Sequence, residues 1–320
     1  MSALPRIGIT SLFAACVAGL TMASAAQDYP ARPVRIVTAA PATMMDVVSR
    51  QLAQRLGERW GRPVVVDNRR ASSASVSQAT PDGYTLLVAD SGALAIKPNI
   101  YRSPGYDVQR DFAPIAPVAS SPGLLVAHPS LPAANLGEFI ASARHQPRGV
   151  KFATAGPWTS NHLTAELFRQ LTGVNLVLVN YKGGGASMAA IMSGESKAGF
   201  SVPFVSLPHV KAGSLKAYAV TSGTRFAAAP EIPTMAEAAG VNLTTTYWFG
   251  LLAPAQTPPM LVERINRQVV DLLQSSAMRS ALLEQGAEPG SGTHKEFDAF
   301  IRSETARFKK VIESAGIKAE

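Results

Sequence analysis

The chain runs to 320 residues, 47% of them apolar and only 16% charged, and its 30 Lys and Arg against 22 Asp and Glu leave a formal charge of +8. These proportions exclude a disordered chain, a collagen and a coiled coil, and the length calls for two lobes rather than one core. One cysteine excludes a disulfide framework and a cysteine-based zinc site. Lys and Arg fall singly or in pairs, as on solvated faces, so no nucleic-acid partner is expected.

Residues 1–25 read as an export signal that is cleaved, placing the protein in the periplasm. Arg6 supplies the positive start, residues 7–22 carry no charge, and Ala23-Ser24-Ala25 offers the small-x-small pattern a signal peptidase cuts. The uncharged run is shorter than the roughly 20 residues of a membrane span. Cleavage discards Cys16 and leaves a chain indifferent to the redox state of its compartment.

The mature part alternates β-rich runs with helical stretches, the pattern of helices layered on a mostly parallel sheet. Residues 34–37 predict a strand, followed by a helix that Asp46 caps and whose Val48, Leu52 and Leu56 share a face. Strands at 64–66 and 85–88 follow, the second entered through the turn Pro81-Asp82-Gly83. After a strand at 124–127, Asn135 and Glu138 make a capping-box-like helix start. A strand at 151–154 leads to a helix capped by Thr159 or Ser160, carrying Leu163, Leu167 and Leu171 and closed by Gly173. Strands at 176–179 and 199–202 flank Gly183-Gly184-Gly185, and 216–220 reads as a strand returning toward the first lobe. Phe297, Ile301, Phe308 and Ile312 recur at helical spacing, with Glu296 early and Lys309-Lys310 late, as the helix dipole prefers.

The expected fold is therefore α/β and two-lobed, the lobes joined by a hinge of crossing strands. Residues 26–127 plus 246–320 form the first lobe and 128–245 the second. In open parallel sheets ligands sit at the carboxyl ends of strands, against helix N-termini whose free N–H groups attract anions. Four loops meet that description: 39–45, 89–92, 155–160 and 181–187.

Certain stretches, in their order and spacing, go further. They are Tyr-Pro-Ala-Arg-Pro-Val-Arg-Ile-Val at 29–37, Pro-Asp-Gly-Tyr-Thr-Leu-Leu at 81–87, Asp-Phe-Ala-Pro-Ile at 111–115, residues 156–163, Tyr181-Lys182-Gly183, Trp-Phe-Gly-Leu-Leu-Ala-Pro at 248–254 and Gly-Ala-Glu-Pro at 286–289. Together they resemble the periplasmic receptors of tripartite tricarboxylate transporters, the Bug receptors, over essentially the whole mature chain. The resemblance implies a type II-like periplasmic binding protein without cofactor, and a monomer suits a receptor that must open and close. It further implies a small carboxylate held by backbone amides and waters between the lobes, and delivery to the transporter's membrane permease subunits.

The departures from that family bear on the ligand. The family's Pro-Phe-x-x-Gly-Gly-x-x-Asp becomes Thr38-Ala39-Ala40-Pro41-Ala42-Thr43-Met44-Met45-Asp46, so both glycines are replaced by residues with restricted φ and apolar bulk is added. Arg70-Ala71-Ser72-Ser73-Ala74 replaces a glycine-rich segment, Pro157 and Trp158 replace small residues beside Gly156, and Ser201 stands in place of an aspartate. An aromatic or larger apolar solute therefore competes with a carboxylate as the expected ligand.

Candidate contacts follow from the four loops and the strands beside them. Ala42, Thr43 and Met44 lie in the first, although Met44 and Met45 suit lobe packing equally well, and Asp46 fits a cap better than a contact to an anion. Ser91 offers a hydroxyl after a strand, or belongs to a plain turn. Gly156, Trp158, Thr159 and Ser160 bring amides, an indole and two hydroxyls to a helix start, where the hydroxyls can cap the helix and leave its amides to a ligand. His162 is either a contact or a satisfied structural histidine. Tyr181 and Lys182 would place a phenol and an ammonium in the cleft, unless Lys182 is solvated. Ser201 ends a strand at the same edge, and Trp248 flanks a ring or fills the hinge.

Catalysis finds less support. Gly185-Ala186-Ser187-Met188-Ala189 lacks the second glycine of a nucleophile elbow. The five histidines show no metal-binding spacing, and neither a Walker loop nor Gly-x-Gly-x-x-Gly occurs. A sensor of the same fold feeding a two-component system, and a hydrolase using Ser187 or His162, are the alternatives to a transport receptor.

Overall fold

The computed structural model describes residues 29–157 and 159–316. The export-signal reading of residues 1–25 and the candidate contact Trp158 lie outside the described residues. Strand Val34–Thr38 (β1) leads into helix Met44–Trp60 (α1), strand Val64–Asn68 (β2), helix Ser72–Ser77 (α2) and strand Thr85–Asp90 (β3). The intervening helices return the chain to the same end of the sheet each time, so β1 pairs in parallel with β2 on one side and β3 on the other. A helical segment, Gly92–Ile96 and Lys97–Ile100, then leads to strand Phe112–Pro122 (β4).

Gly123 carries the chain into a second sheet. Leu124–Ala127 (β5), Val150–Thr154 (β6), Leu176–Asn180 (β7), Ala198–Ser201 (β8) and Lys216–Val220 (β9) lie in the order β7-β6-β8-β5-β9, with β6 parallel to β7 and β8 and β5 antiparallel to β8 and β9. Helices Leu136–Arg144 (α3), Ser160–Thr172 (α4), Gly184–Met192 (α5) and Pro203–Lys211 (α6) connect these strands. Thr246–Pro254 (β10) returns to the first sheet between β3 and β4, antiparallel to both. Helices Pro259–Leu273 (α7) and Ser276–Glu284 (α8), the short strand Glu288–Pro289 (β11) and helix His294–Ser314 (α9) complete the first lobe.

Two expectations are corrected here. β5 pairs inside the second sheet, so the first crossing falls at Gly123 rather than after Ala127. Residues 216–220 are the edge strand β9 of that sheet, not a returning strand, because their apolar side chains fill the second lobe's own core. The return is made at Thr245 and Thr246. The crossings are stitched together: Gly123 N–H donates to Thr221 Oγ1 at 2.7 Å, and the Thr221 hydroxyl donates to Thr245 O at 2.6 Å. A β-carbon at position 123 would stand 2.9 Å from Thr221 Oγ1, so this close approach requires glycine.

Both faces of each sheet are covered at its centre, which is why 86–89 and 124–127 read as continuous apolar runs. In the first sheet Ile36, Leu86 and Leu251 enter one cluster, while Val37, Leu87 and Leu252 enter the other. Leu163 of α4 is buried in that second cluster beside Trp248 and Phe297, so the second lobe inserts an apolar side chain into the first. No helix of the described residues is long and apolar enough to cross a membrane.

The start of α1 also departs from expectation. Thr43 is the cap, its hydroxyl accepting from Asp46 N–H at 3.3 Å, and Asp46 sits inside the first turn. Its carboxylate accepts from Ala42 N–H, Arg50 and Asn68. Burial pushes this carboxyl up, but the three hydrogen bonds together outweigh it and hold it below the ordinary range.

Ala42 has a φ of 58°, the left-handed conformation a family glycine would adopt freely. A left-handed residue with a β-carbon costs about 1–2 kcal/mol, and a glycine there costs about 0.5–1 kcal/mol in chain entropy. Ala42→Gly is therefore expected to stabilise the protein by about 0.5–1 kcal/mol in urea unfolding. Destabilisation would show that the conformation carries no strain.

Candidate functional site

The carboxyl ends of β3 in the first sheet and of β6 and β8 in the second enclose a cavity of about 190 Å³. Its first-lobe wall holds Asp90, at the end of β3, and Tyr247 of β10. Its second-lobe wall is made by the β6–α4 turn (Ala155, Thr159, Ser160, Asn161), the start of α5 (Gly184, Ser187, Met188) and the β8–α6 turn (Phe200, Ser201, Val202, Val205). A wider hollow of about 570 Å³ lies among Arg55, Arg59 and Asp271, but on the outer surface, away from the strand ends. Ser91 Oγ lies 3.0 Å from Ser160 Oγ, a direct bond between the lobes beside the cavity.

Local sequence explains the second-lobe wall. Thr159 caps α4: its hydroxyl accepts from His162 N–H and donates to Gly156 O at 2.8 Å. Gly156 has a φ of 123°, and a β-carbon there would stand 3.3 Å from Tyr181 O. Asn161 clamps the turn, its side chain accepting from Ala155 N–H at 2.8 Å and donating to Phe200 O at 3.1 Å. Helix α5 begins after Gly183 with no side-chain cap, and α6 begins after Val202, also uncapped, with Pro203 at its first position. The N–H groups opening α5 are thus left to other acceptors, whereas in α6 Pro203 has no N–H and Val205 N–H already donates to Val202 O at 3.0 Å; each end carries a partial positive charge.

The lining contains no Lys, Arg or His among the described residues, and Asp90 is its one carboxylate. One Asp90 oxygen accepts from Ala93 N–H at 2.8 Å. The Tyr247 hydroxyl is buried without a hydrogen bond of good geometry, and burial pushes its pKa up. No group of three or more His, Cys, Asp or Glu among the described residues could hold a metal ion.

The structure brings some of the candidates together and leaves others apart. Thr159, Ser160 and Ser201 line the cavity, Ser91 seals its edge, and Gly156 shapes the turn behind it. Ala42 gives its N–H to Asp46, Thr43 caps α1, and Met44 is buried in the first lobe's core. His162 places Nδ1 2.8 Å from Asn180 Oδ1, tying α4 to the end of β7 outside the lining. The Tyr181 phenol donates to Glu195 at 2.9 Å, and Lys182 is exposed. Trp248 is buried and donates Nε1–H to Glu304 at 3.1 Å.

Asp90, Asn161, Ser187 and Tyr247 were missed as contacts. Asp90 lies in a loop the strand-end rule had marked and Asn161 one residue beyond another, so a closer reading of those loops would have found both. Tyr247 carries no local signal.

Two α/β lobes, joined by stitched crossing strands and closed over a cavity at the strand ends, define a solute-binding receptor of the periplasmic type. The chain belongs to the tripartite tricarboxylate transporter family receptors, whose family model matches residues 48–317. Protein BugT of Bordetella pertussis is 33% identical over 319 residues, 98% of each chain. Among solved structures, R. palustris Rpa4515 with adipate matches with a TM-score of 0.84 and 32% identity, covering 91% of this chain and 100% of that one. MatC from Rhodopseudomonas palustris with bound malate matches with a TM-score of 0.77 and 25% identity, covering 89% and 100%. The family consists of solute-binding receptors, not enzymes.

Proposed function

We propose that this receptor, exported to the periplasm and freed of residues 1–25, captures a small aliphatic carboxylate between its lobes. It then presents the closed form to the membrane subunits of a tripartite tricarboxylate transporter. One observation carries the reading: the starts of α4, α5 and α6 converge on one cavity whose described lining holds no cationic side chain. Backbone N–H groups at helix N-termini are then the groups that hold an anion. The adipate and malate of the two solved relatives support a carboxylate. The cavity of about 190 Å³ falls below the roughly 300–1,000 Å³ of drug-sized sites, which favours a solute of few heavy atoms.

Closure is the working step. The moving bodies are the two lobes, one round each sheet, hinged at Gly123 and Thr245, and contacts from both lobes stabilise the closed state.

A thermal-shift series with three- to six-carbon carboxylates and with aromatic acids tests the reading. A ligand at about 100-fold over its Kd adds about 2.7 kcal/mol, which raises the midpoint by about 5 °C. A response to aromatic acids alone would overturn the aliphatic assignment, and silence throughout would overturn solute capture.

A further inference from the structure

The two walls of the cavity differ in charge. On the second lobe is the start of α5, whose N–H groups no side chain caps; on the first is Asp90, half-buried at the end of β3. No Lys or Arg among the described residues forms a salt bridge with Asp90, and no cationic side chain in the described lining neutralises it. Its position is built. One oxygen is held by Ala93 N–H, Ser91 beside it is buried and meets Ser160 across the lobes, and a β-carbon at Gly92 would crowd Asp90 Oδ1 at 3.1 Å. The Tyr247 hydroxyl lines the same cavity, buried and without a hydrogen bond of good geometry. The nearby Thr164 hydroxyl donates to Ser160 O and lies 3.2 Å from Thr245 Oγ1, which leaves it an acceptor lone pair toward the phenol.

A solute with a carboxylate at each end would set one of them against Asp90, and the two like charges repel. A solute with an ammonium at that end pairs with Asp90 instead, while its carboxylate meets the N–H groups opposite. Building on the reading of the cavity as a solute site, we propose that Asp90 determines its specificity. The solute is then a short amino acid whose ammonium and carboxylate are separated along an aliphatic chain, with the ammonium on Asp90.

Calorimetric titration of the purified protein with matched pairs tests this: succinate against β-alanine, glutarate against 4-aminobutanoate, and adipate against 5-aminopentanoate. Each pair differs in one carboxylate replaced by an ammonium. At least one amino acid is expected to bind about tenfold or more tightly than its diacid, and Asp90→Asn is expected to remove that preference. The asparagine keeps an acceptor for Ala93 N–H, and the wild-type comparison decides the matter even if the variant does not fold. Diacids binding as tightly as, or more tightly than, their amino acids would overturn the inference while leaving carboxylate capture standing. Silence from both series would overturn the two together.

Discussion

Gly184→Gln will lower solute affinity by about 100-fold or more while leaving the melting temperature of the ligand-free protein unchanged or slightly raised. Gly184 opens α5 and lines the cavity, and a β-carbon built on it meets nothing within 4 Å. Its neighbour Gly183 is different, for a φ of 95° holds it to glycine. Position 184 has ordinary helical geometry, so a good helix former is tolerated there, and glycine in a helix costs about 1 kcal/mol relative to alanine. Gly184 is an exposed part of the lining, so a glutamine there is expected to reach over a cavity of only about 190 Å³ and compete with the solute. Titration of the variant beside calorimetric melting separates the effects: unchanged binding would mean that the solute sits elsewhere.

Gly250→Ala will destabilise the protein by about 3 kcal/mol in urea unfolding, through overpacking rather than backbone strain. Gly250 lies in β10 beneath α9, and a β-carbon there would stand 2.1 Å from Phe297 Cζ and 2.7 Å from Cε1. The ring cannot yield easily, being buried at 2% exposure and set edge-on against Trp248 with centroids 6.1 Å apart. Phe297→Leu shortens the obstructing side chain and loses packing of its own. The double variant is therefore expected to be more stable than the sum of the two changes predicts, by about 1 kcal/mol or more. Strict additivity would show that α9 shifts as a body to make room.

How far the sequence could be read depended on how local each determinant is. Short β-branched and apolar runs mark strands, so 34–37, 64–66, 124–127, 151–154 and 176–179 were legible almost to the residue, although only 124–127 is buried throughout and the edge strands β2 and β7 leave Val65 and Val177 exposed. The caps Asn135 and Thr159 announce themselves because a side-chain oxygen must sit three residues before the N–H it receives. At α1 the same rule favoured the wrong residue. Asp46 has the right chemistry, but Thr43 starts the helix three residues earlier, and Asp46 is drawn inward by Arg50 and Asn68.

By itself, then, the sequence determined the α/β class, the two-lobed plan and three of the loops that supply the cavity. Apolar periodicity, caps and strand ends are properties of neighbouring residues. The tertiary structure alone decided which side chains enter the cavity. Tyr247 and Trp248 are adjacent in β10 and chemically alike, but successive strand residues take opposite faces. One therefore meets the second lobe while the other packs under α9. It likewise decided that 216–220 stays in the second sheet, since the partner that claims it, β5, lies some ninety residues back along the chain. His162 turned toward Asn180, and Asp90 toward the cavity, for the same reason. Where a polar side chain points depends on partners brought near by folding, and no local pattern encodes them.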